Sequence, residues 1–187
     1  MEAFLISISS IAIAEMGDRT QLLSLVLAAR FRRPWPILVG ILLATLASHT
    51  AAGLIGAWFG KLLKPSVLDV TVGVSMLLMG LWTLKPDKLE NESERVADSG
   101  VLLTTFIAFF VAEIGDKTQI ATLALAAAYP NLIAVIAGTT CGMLLANAPV
   151  VFLGKAFANH LPLRALHIGA AVLFALLGIL FVVRGMR

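Results

Sequence analysis

A seven-residue charged word stands twice in this chain, each time inside a long apolar run. Residues 15–21 read Glu-Met-Gly-Asp-Arg-Thr-Gln and residues 113–119 read Glu-Ile-Gly-Asp-Lys-Thr-Gln, 113 − 15 = 98 positions apart. Gly40/Gly138, Gly56/Gly154 and Gly80/Gly178 keep that offset without a gap. The two halves of the chain therefore read as copies of one another.

The surroundings of the word decide what the copies can be. Of 187 residues, 59% are hydrophobic and 13% charged, against about 45–50% and about 25% in soluble domains. A hydrocarbon layer of about 30 Å takes about 20 helical residues to cross. Six segments meet that length: Ala3–Ala29, Pro36–Gly60, Ser66–Leu84, Val101–Ala128, Leu132–Gly154 and Leu166–Val183. They are continuously apolar and do not alternate with period two, which argues against a membrane barrel. The expected fold class is all-α, a polytopic membrane protein of six transmembrane helices.

Residues 1–84 form the expected first three-helix repeat, 85–100 a polar linker loop, and 101–187 the second repeat, all in one membrane domain. Five of the eleven acidic residues fall in the linker, which reads as solvated. Three spans per half is an odd number, so the second copy enters the bilayer from the opposite side. Inverted repeats of this kind build secondary transporters, with the substrate near the midplane at the repeat interface. Gly56–Gly60 and Gly138–Gly142, at four-residue spacing, are expected to let helices approach closely.

The N-terminus lacks a basic region and a small-residue cleavage site, so it reads as a first membrane helix and not a signal peptide. Loop charges favour both termini outside: Arg30, Arg32, Arg33, Lys85, Lys88, Arg95, Lys155 and Arg164 inside, against Lys61, Lys64, Arg184 and Arg187. A net charge of +3, with the basic residues scattered between spans, gives no footprint for nucleic acid. The single cysteine, Cys141, excludes an intramolecular disulfide framework and a Cys-rich metal site.

A charge at a helix centre costs about 2.5–3.5 kcal/mol on insertion scales, and so marks function by default. On a continuous helix Glu15, Asp18 and Gln21 follow at i, i+3 and i+6 and form a polar stripe. Glu113, Asp116 and Gln119 form its copy. Gly17 and Gly115 lie elsewhere, where a missing side chain admits a neighbouring helix or lets the backbone unwind. Inverted symmetry would bring the stripes face to face, offering four carboxylates and two amide oxygens. Ca²⁺, Mg²⁺ and Mn²⁺ take such donors. With Arg19 and Lys117 counted, the site carries a net charge of two negatives, which one divalent cation neutralises. Without metal, crowded carboxylates repel and take up protons. Metal and protons then compete, a route to divalent cation/proton exchange.

Other readings use the same residues. Ion pairs that only fix helix packing are the plain alternative, weakened by the duplication. Small organic cations, such as basic amino acids, would use the acids as counter-charges. An intramembrane hydrolase would pair Asp18 with Asp116 around a water, but it leaves both glutamates without a use. Arg19 and Lys117 are expected to pair with a carboxylate or snorkel toward water, with Thr20 and Thr118 supporting. His49 and Asn147 hold matched positions on the second span of each half. Both residue types ligate metal, and imidazole favours a transition metal over Ca²⁺, although a lone His in a bundle is more often a hydrogen-bonded packing residue. The hydroxyls of Ser24 and Thr122 commonly bond back to their own helix.

Glu-Met-Gly-Asp-Arg-Thr and Glu-Ile-Gly-Asp-Lys-Thr resemble the duplicated signature of the UPF0016 family, also called the GDT1 family of cation/Ca²⁺ and Mn²⁺ exchangers. The resemblance covers nearly the whole chain. It implies that Glu15, Asp18, Glu113 and Asp116 bind the cation, and that the chain exports Mn²⁺, with Ca²⁺ as an alternative substrate, against protons by alternating access. It further implies a bacterial plasma-membrane form without the N-terminal extension of eukaryotic relatives. No enzymatic activity and no cofactor are expected; the metal is substrate, the lipid bilayer the setting. A homo-oligomer stays open.

Overall fold

The computed structural model describes residues 1–84, 100–154 and 163–187. Eight helices lie among them: α1 (Glu2–Glu15), α2 (Arg19–Phe31), α3 (Pro34–Leu62), α4 (Pro65–Thr83), α5 (Val101–Glu113), α6 (Lys117–Ala128), α7 (Leu132–Leu153) and α8 (Leu163–Gly185). There is no strand among the described residues. All but Gly100 of the expected linker lies outside them, as do Lys85, Lys88, Arg95 and Lys155 of the orientation argument.

Four helices are long and apolar enough to cross a membrane: α3, α4, α7 and the His167–Gly185 part of α8. The other two expected spans are not continuous. Ala3–Ala29 and Val101–Ala128 each break at the charged word, giving α1 with α2 and α5 with α6. At 12 to 14 residues, none of these four pieces alone reaches across about 30 Å.

The cause of the break is local. Met16 (φ −66°, ψ 115°) and Gly17 (φ 86°) take type II turn angles, and the Asp18 N–H donates to the Glu15 carbonyl at 3.1 Å. Ile114 (φ −63°, ψ 115°) and Gly115 (φ 74°) repeat the turn, with Asp116 N–H on the Glu113 carbonyl at 3.1 Å. Only glycine holds such a φ without strain. Asp18 and Asp116 then stand at the N-caps of the next helices. Gln21 and Gln119 reach back, each accepting from the N–H of Gly17 or Gly115 at 2.8 Å, in the manner of a capping box. The stripe expected along one helix face is thus replaced by a turn and a cap.

Small residues set the helix contacts, as expected. A Cβ on Gly138 or Gly142 would lie 2.7 Å from the carbonyl of Phe4 or Ile8, so α7 rests on the backbone of α1. Gly40 stands likewise against Leu102 and Thr105 of α5. Gly56 and Gly60 put α3 on α6, where would-be Cβ atoms would run into the carbonyls of Leu123 and Ala127. Helices α4 and α8 meet at Gly73 with Gly178 and at Gly80 with Ala171. Large apolar side chains such as Leu54, Ile107 and Leu176 cover the outside, while the acids of both words are buried. This polarity suits a lipid solvent.

Candidate functional site: a buried carboxylate cluster at two helix breaks

The breaks bring both charged words together. Glu15, Asp18 and Asp116 offer carboxylate oxygens that lie within 4.8 Å of one another, all buried. Glu113 lies outside that trio, and its Oε1 accepts from the Thr45 hydroxyl at 2.6 Å.

The basic residues cross over. Lys117 Nζ of the second word pairs with Asp18 Oδ1 of the first at 2.8 Å, and Arg19 Nη2 of the first pairs with Asp116 Oδ1 of the second at 3.1 Å. The expectation of carboxylate pairing holds for both. Their settings differ: the Lys117 side chain is 4% exposed and that of Arg19 is 31% exposed. Asp116 also accepts from the hydroxyl of Thr118 at 2.9 Å. The hydroxyl of the matched Thr20 has no partner among the described residues.

Glu15 is the unusual member. It is fully buried, and neither of its carboxylate oxygens has a hydrogen-bond partner among the described residues. A buried carboxylate left this way carries a large desolvation penalty unless a cation or proton joins it. The oxygen spacing suits that: metal–oxygen bonds of about 2.0–2.6 Å put ligand atoms on one ion within about 5 Å of one another.

The amide oxygens of Gln21 and Gln119 hold the turns, as described above. Their nitrogens tie the breaks to neighbouring helices, Gln21 Nε2 to the Ala146 carbonyl at 2.9 Å and Gln119 Nε2 to Ser48 Oγ at 3.0 Å. Asn147 accepts from Ser24 Oγ at 2.6 Å and donates to the Met143 carbonyl at 3.0 Å, so its polar atoms are occupied. Thr122 bonds back to the Thr118 carbonyl, as hydroxyls in helices do. His49 is fully buried, with neither ring nitrogen partnered among the described residues.

Thr45 and Ser48 are site residues that the sequence reading passed over. With His49 they form a polar face at i, i+3 and i+4 in an apolar span, a signal that was available. Their counterparts at the repeat offset are Met143 and Ala146.

Helices that cross a membrane around buried, cross-paired acids define a polytopic membrane protein with an internal charged site. The chain belongs to the GDT1 family: the model described as "Divalent cation/proton antiporter GDT1" matches residues 3–91 and 101–187. It is therefore an integral membrane protein of an antiporter family, not an enzyme. A Vibrio cholerae protein named "Putative manganese exporter" is 49% identical over 96% of this chain and 90% of its own length. A GDT1-like protein of Synechocystis is 28% identical, covering 96% of each. The Saccharomyces cerevisiae "Divalent cation/proton antiporter GDT1" is 20% identical over 97% of this chain and 84% of its own. No solved structure matches the chain.

Proposed function

We propose that this chain exports Mn²⁺ from the cytoplasm in exchange for protons, with Ca²⁺ as a second substrate. The single observation that carries the reading is Glu15: a fully buried carboxylate with two unpartnered oxygens, grouped with Asp18 and Asp116. The family and the name of the Vibrio cholerae relative support the choice of ion.

Charge bookkeeping gives the coupling. Each aspartate has a basic partner from the other word, so the two glutamates carry the net charge. One divalent cation or two protons neutralises them, and either state is tolerable in a low dielectric. The proposed exchange is therefore one Mn²⁺ for two protons, electroneutral overall. Glu15, Asp18 and Asp116 hold the metal, while Gln21 and Gln119 pin the turns that present it. Thr20, Thr118, His49 and Asn147 support the site from behind.

The architecture we infer is six spans in two inverted repeats, 1–84 and 101–187, with α1–α2 and α5–α6 as broken spans. Contacts that recur with the halves exchanged support it. Arg19–Asp116 maps onto Lys117–Asp18, and Gly73–Gly178 maps onto Gly80–Ala171. Broken helices near the midplane are the usual seat of transporter sites. Alternating access would exchange the two environments, bringing Glu113 to the aspartates and returning Glu15 to the wall. The Vibrio cholerae relative supports a bacterial plasma membrane, and the basic loop residues favour both termini outside.

The test is Mn²⁺ flux into proteoliposomes carrying a divalent-sensitive dye, with and without a pH gradient, Ca²⁺ run in parallel. Saturable uptake driven by the gradient, unaffected by a clamped membrane potential, is expected. Absence of flux for both metals from folded protein would overturn the reading.

A further inference from the structure

A cavity of about 380 Å³ lies between the end of α2 and the end of α7. Leu25 and Ala28 line one wall, Phe152 and Gly154 the other, and Arg32 and Arg33 stand among its lining residues. Among the described residues no acid lines it, and neither arginine has a carboxylate partner.

The same place in the other half is filled by the protein itself. Leu123 and Gly56 are the counterparts of Leu25 and Gly154. There a Cβ on Gly56 would run into the Leu123 carbonyl, whereas one on Gly154 would meet nothing within 4 Å among the described residues. Ala28 lines the cavity, while its counterpart Ala126 is buried. The cavity is thus a gap that one half closes and the other leaves open.

Its chemistry selects an occupant. The walls are apolar, and Phe152 is half exposed on the outer surface of the bundle. Trp35 lies edge-on to Phe152 at 5.7 Å and is largely exposed, a position typical of the headgroup level of a bilayer. Helices α2 and α7 both end at this rim, so their carbonyl ends give an anion no help and the guanidinium groups carry the positive charge. A metal cation would be repelled here. Between the cavity and the carboxylates, Ser24 is bonded to Asn147 and Gln21 to Ala146, which separates it from the ion site.

We propose that this cavity binds an anionic phospholipid, its phosphate between Arg32 and Arg33 and an acyl chain against Leu25, Ala28 and Phe152. Basic pockets between membrane helices hold such headgroups. The bound lipid props the half-helix α2 away from Gly154, and so biases the position of the arm that carries Asp18. This depends on the chain lying in a bilayer and not on which ion it carries.

The experiment is lipid binding to the purified chain in neutral detergent without metal, read by native mass spectrometry and thermal unfolding. The probes are phosphatidylglycerol, phosphatidylcholine, and inorganic phosphate alone. Phosphatidylglycerol should stay bound and raise the unfolding temperature, with phosphatidylcholine and phosphate far weaker. The double variant Arg32→Gln/Arg33→Gln should lose about thirtyfold in affinity, from roughly fivefold per basic residue. Ala28→Phe, which fills the cavity and keeps the charges, should also release the lipid. Lys61→Gln/Lys64→Gln, with two charges removed at the far end of α3, should keep it. Equal binding of the two lipids, or equal loss in the lysine variant, would overturn the proposal. Stabilisation by phosphate as strong as by the lipid would mean a free-anion site and overturn it too. So would an arginine effect independent of lipid, which would give the arginines a purely structural role. Because no metal is present, failure here leaves the transport reading to be judged by flux alone.

Discussion

Glu113 accepts a hydrogen bond from Thr45, while Glu15, its counterpart in the other half, accepts none among the described residues. Asp116 is held by Thr118 and Arg19; the hydroxyl of Thr20, the match of Thr118, has no partner among the described residues. Two nearly identical words thus sit in different surroundings. The difference arises on the facing helices, where Thr45 and Ser48 on α3 correspond to Met143 and Ala146 on α7. In the proposed cycle a duplicated sequence supplies two sets of ligands, and the unequal walls decide which set is open to a cation in a given state.

The sharpest test of that comparison is to neutralise each glutamate. Glu15→Gln should abolish flux and also metal binding in detergent, because it removes the open carboxylate of the trio. Glu113→Gln should abolish flux but leave much of the binding, since Glu113 becomes a ligand only after the environments exchange. Flux comes from proteoliposomes and binding from calorimetry. Equal loss of binding in both variants would break the assignment of unlike roles.

The cross-pairs come next in size. Lys117→Met removes the buried cation that pairs with Asp18, and removing one partner of a buried pair typically costs about 3–5 kcal/mol. Arg19→Met should cost about 1 kcal/mol or less, because the arginine is partly exposed and Asp116 keeps its Thr118 hydroxyl. Thermal unfolding in detergent ranks the two. A third expectation concerns the turns. Gly17→Ala and Gly115→Ala force alanine to a positive φ, at about 1–2 kcal/mol each. Both should lower flux about equally, since the two turns share one geometry.

Much of this was legible in the sequence. Continuous apolar runs and the offset between halves led to helices, to small-residue contacts at Gly56–Gly60 and Gly138–Gly142, and to the four acids. The helix breaks were read only as one option at Gly17 and Gly115, because hydrophobic length alone cannot distinguish one long helix from two half-helices. The signal was nevertheless present: Gly followed by Asp at an N-cap, with Gln three residues later, is a helix-start pattern. Reading Glu15, Asp18 and Gln21 as one stripe ignored it. The role of Thr45 was hidden for another reason. A hydroxyl in an apolar span normally satisfies itself on its own helix, as Thr83 and Thr105 do, and only packing reveals the one that bonds a carboxylate.

The finest test changes the walls and leaves both words intact. Gly138 meets Phe4 and Ser7 of α1 as Gly40 meets Leu102 and Thr105 of α5, so the matched register sets Met143 toward the end of α1 as Thr45 is set toward the end of α5. Thr45→Val removes one of the two hydroxyls that Glu113 draws on, Ser48 being the other, and should destabilise the chain by about 1 kcal/mol, the net worth of one hydrogen bond. Added Mn²⁺ should then stabilise this variant more than the parent, because Glu113 is held by one hydroxyl fewer. Met143→Thr should do the reverse. A hydroxyl supplied to Glu15 competes with the cation, and a net hydrogen bond of about 1 kcal/mol corresponds to roughly fivefold weaker metal binding. The double exchange, Thr45→Met with Met143→Thr, should restore affinity toward the parent while transferring sensitivity from Glu15→Gln to Glu113→Gln. If sensitivity stays with Glu15 in the exchanged chain, the facing helices do not set the difference, and its origin lies in the positions of the half-helices α2 and α6.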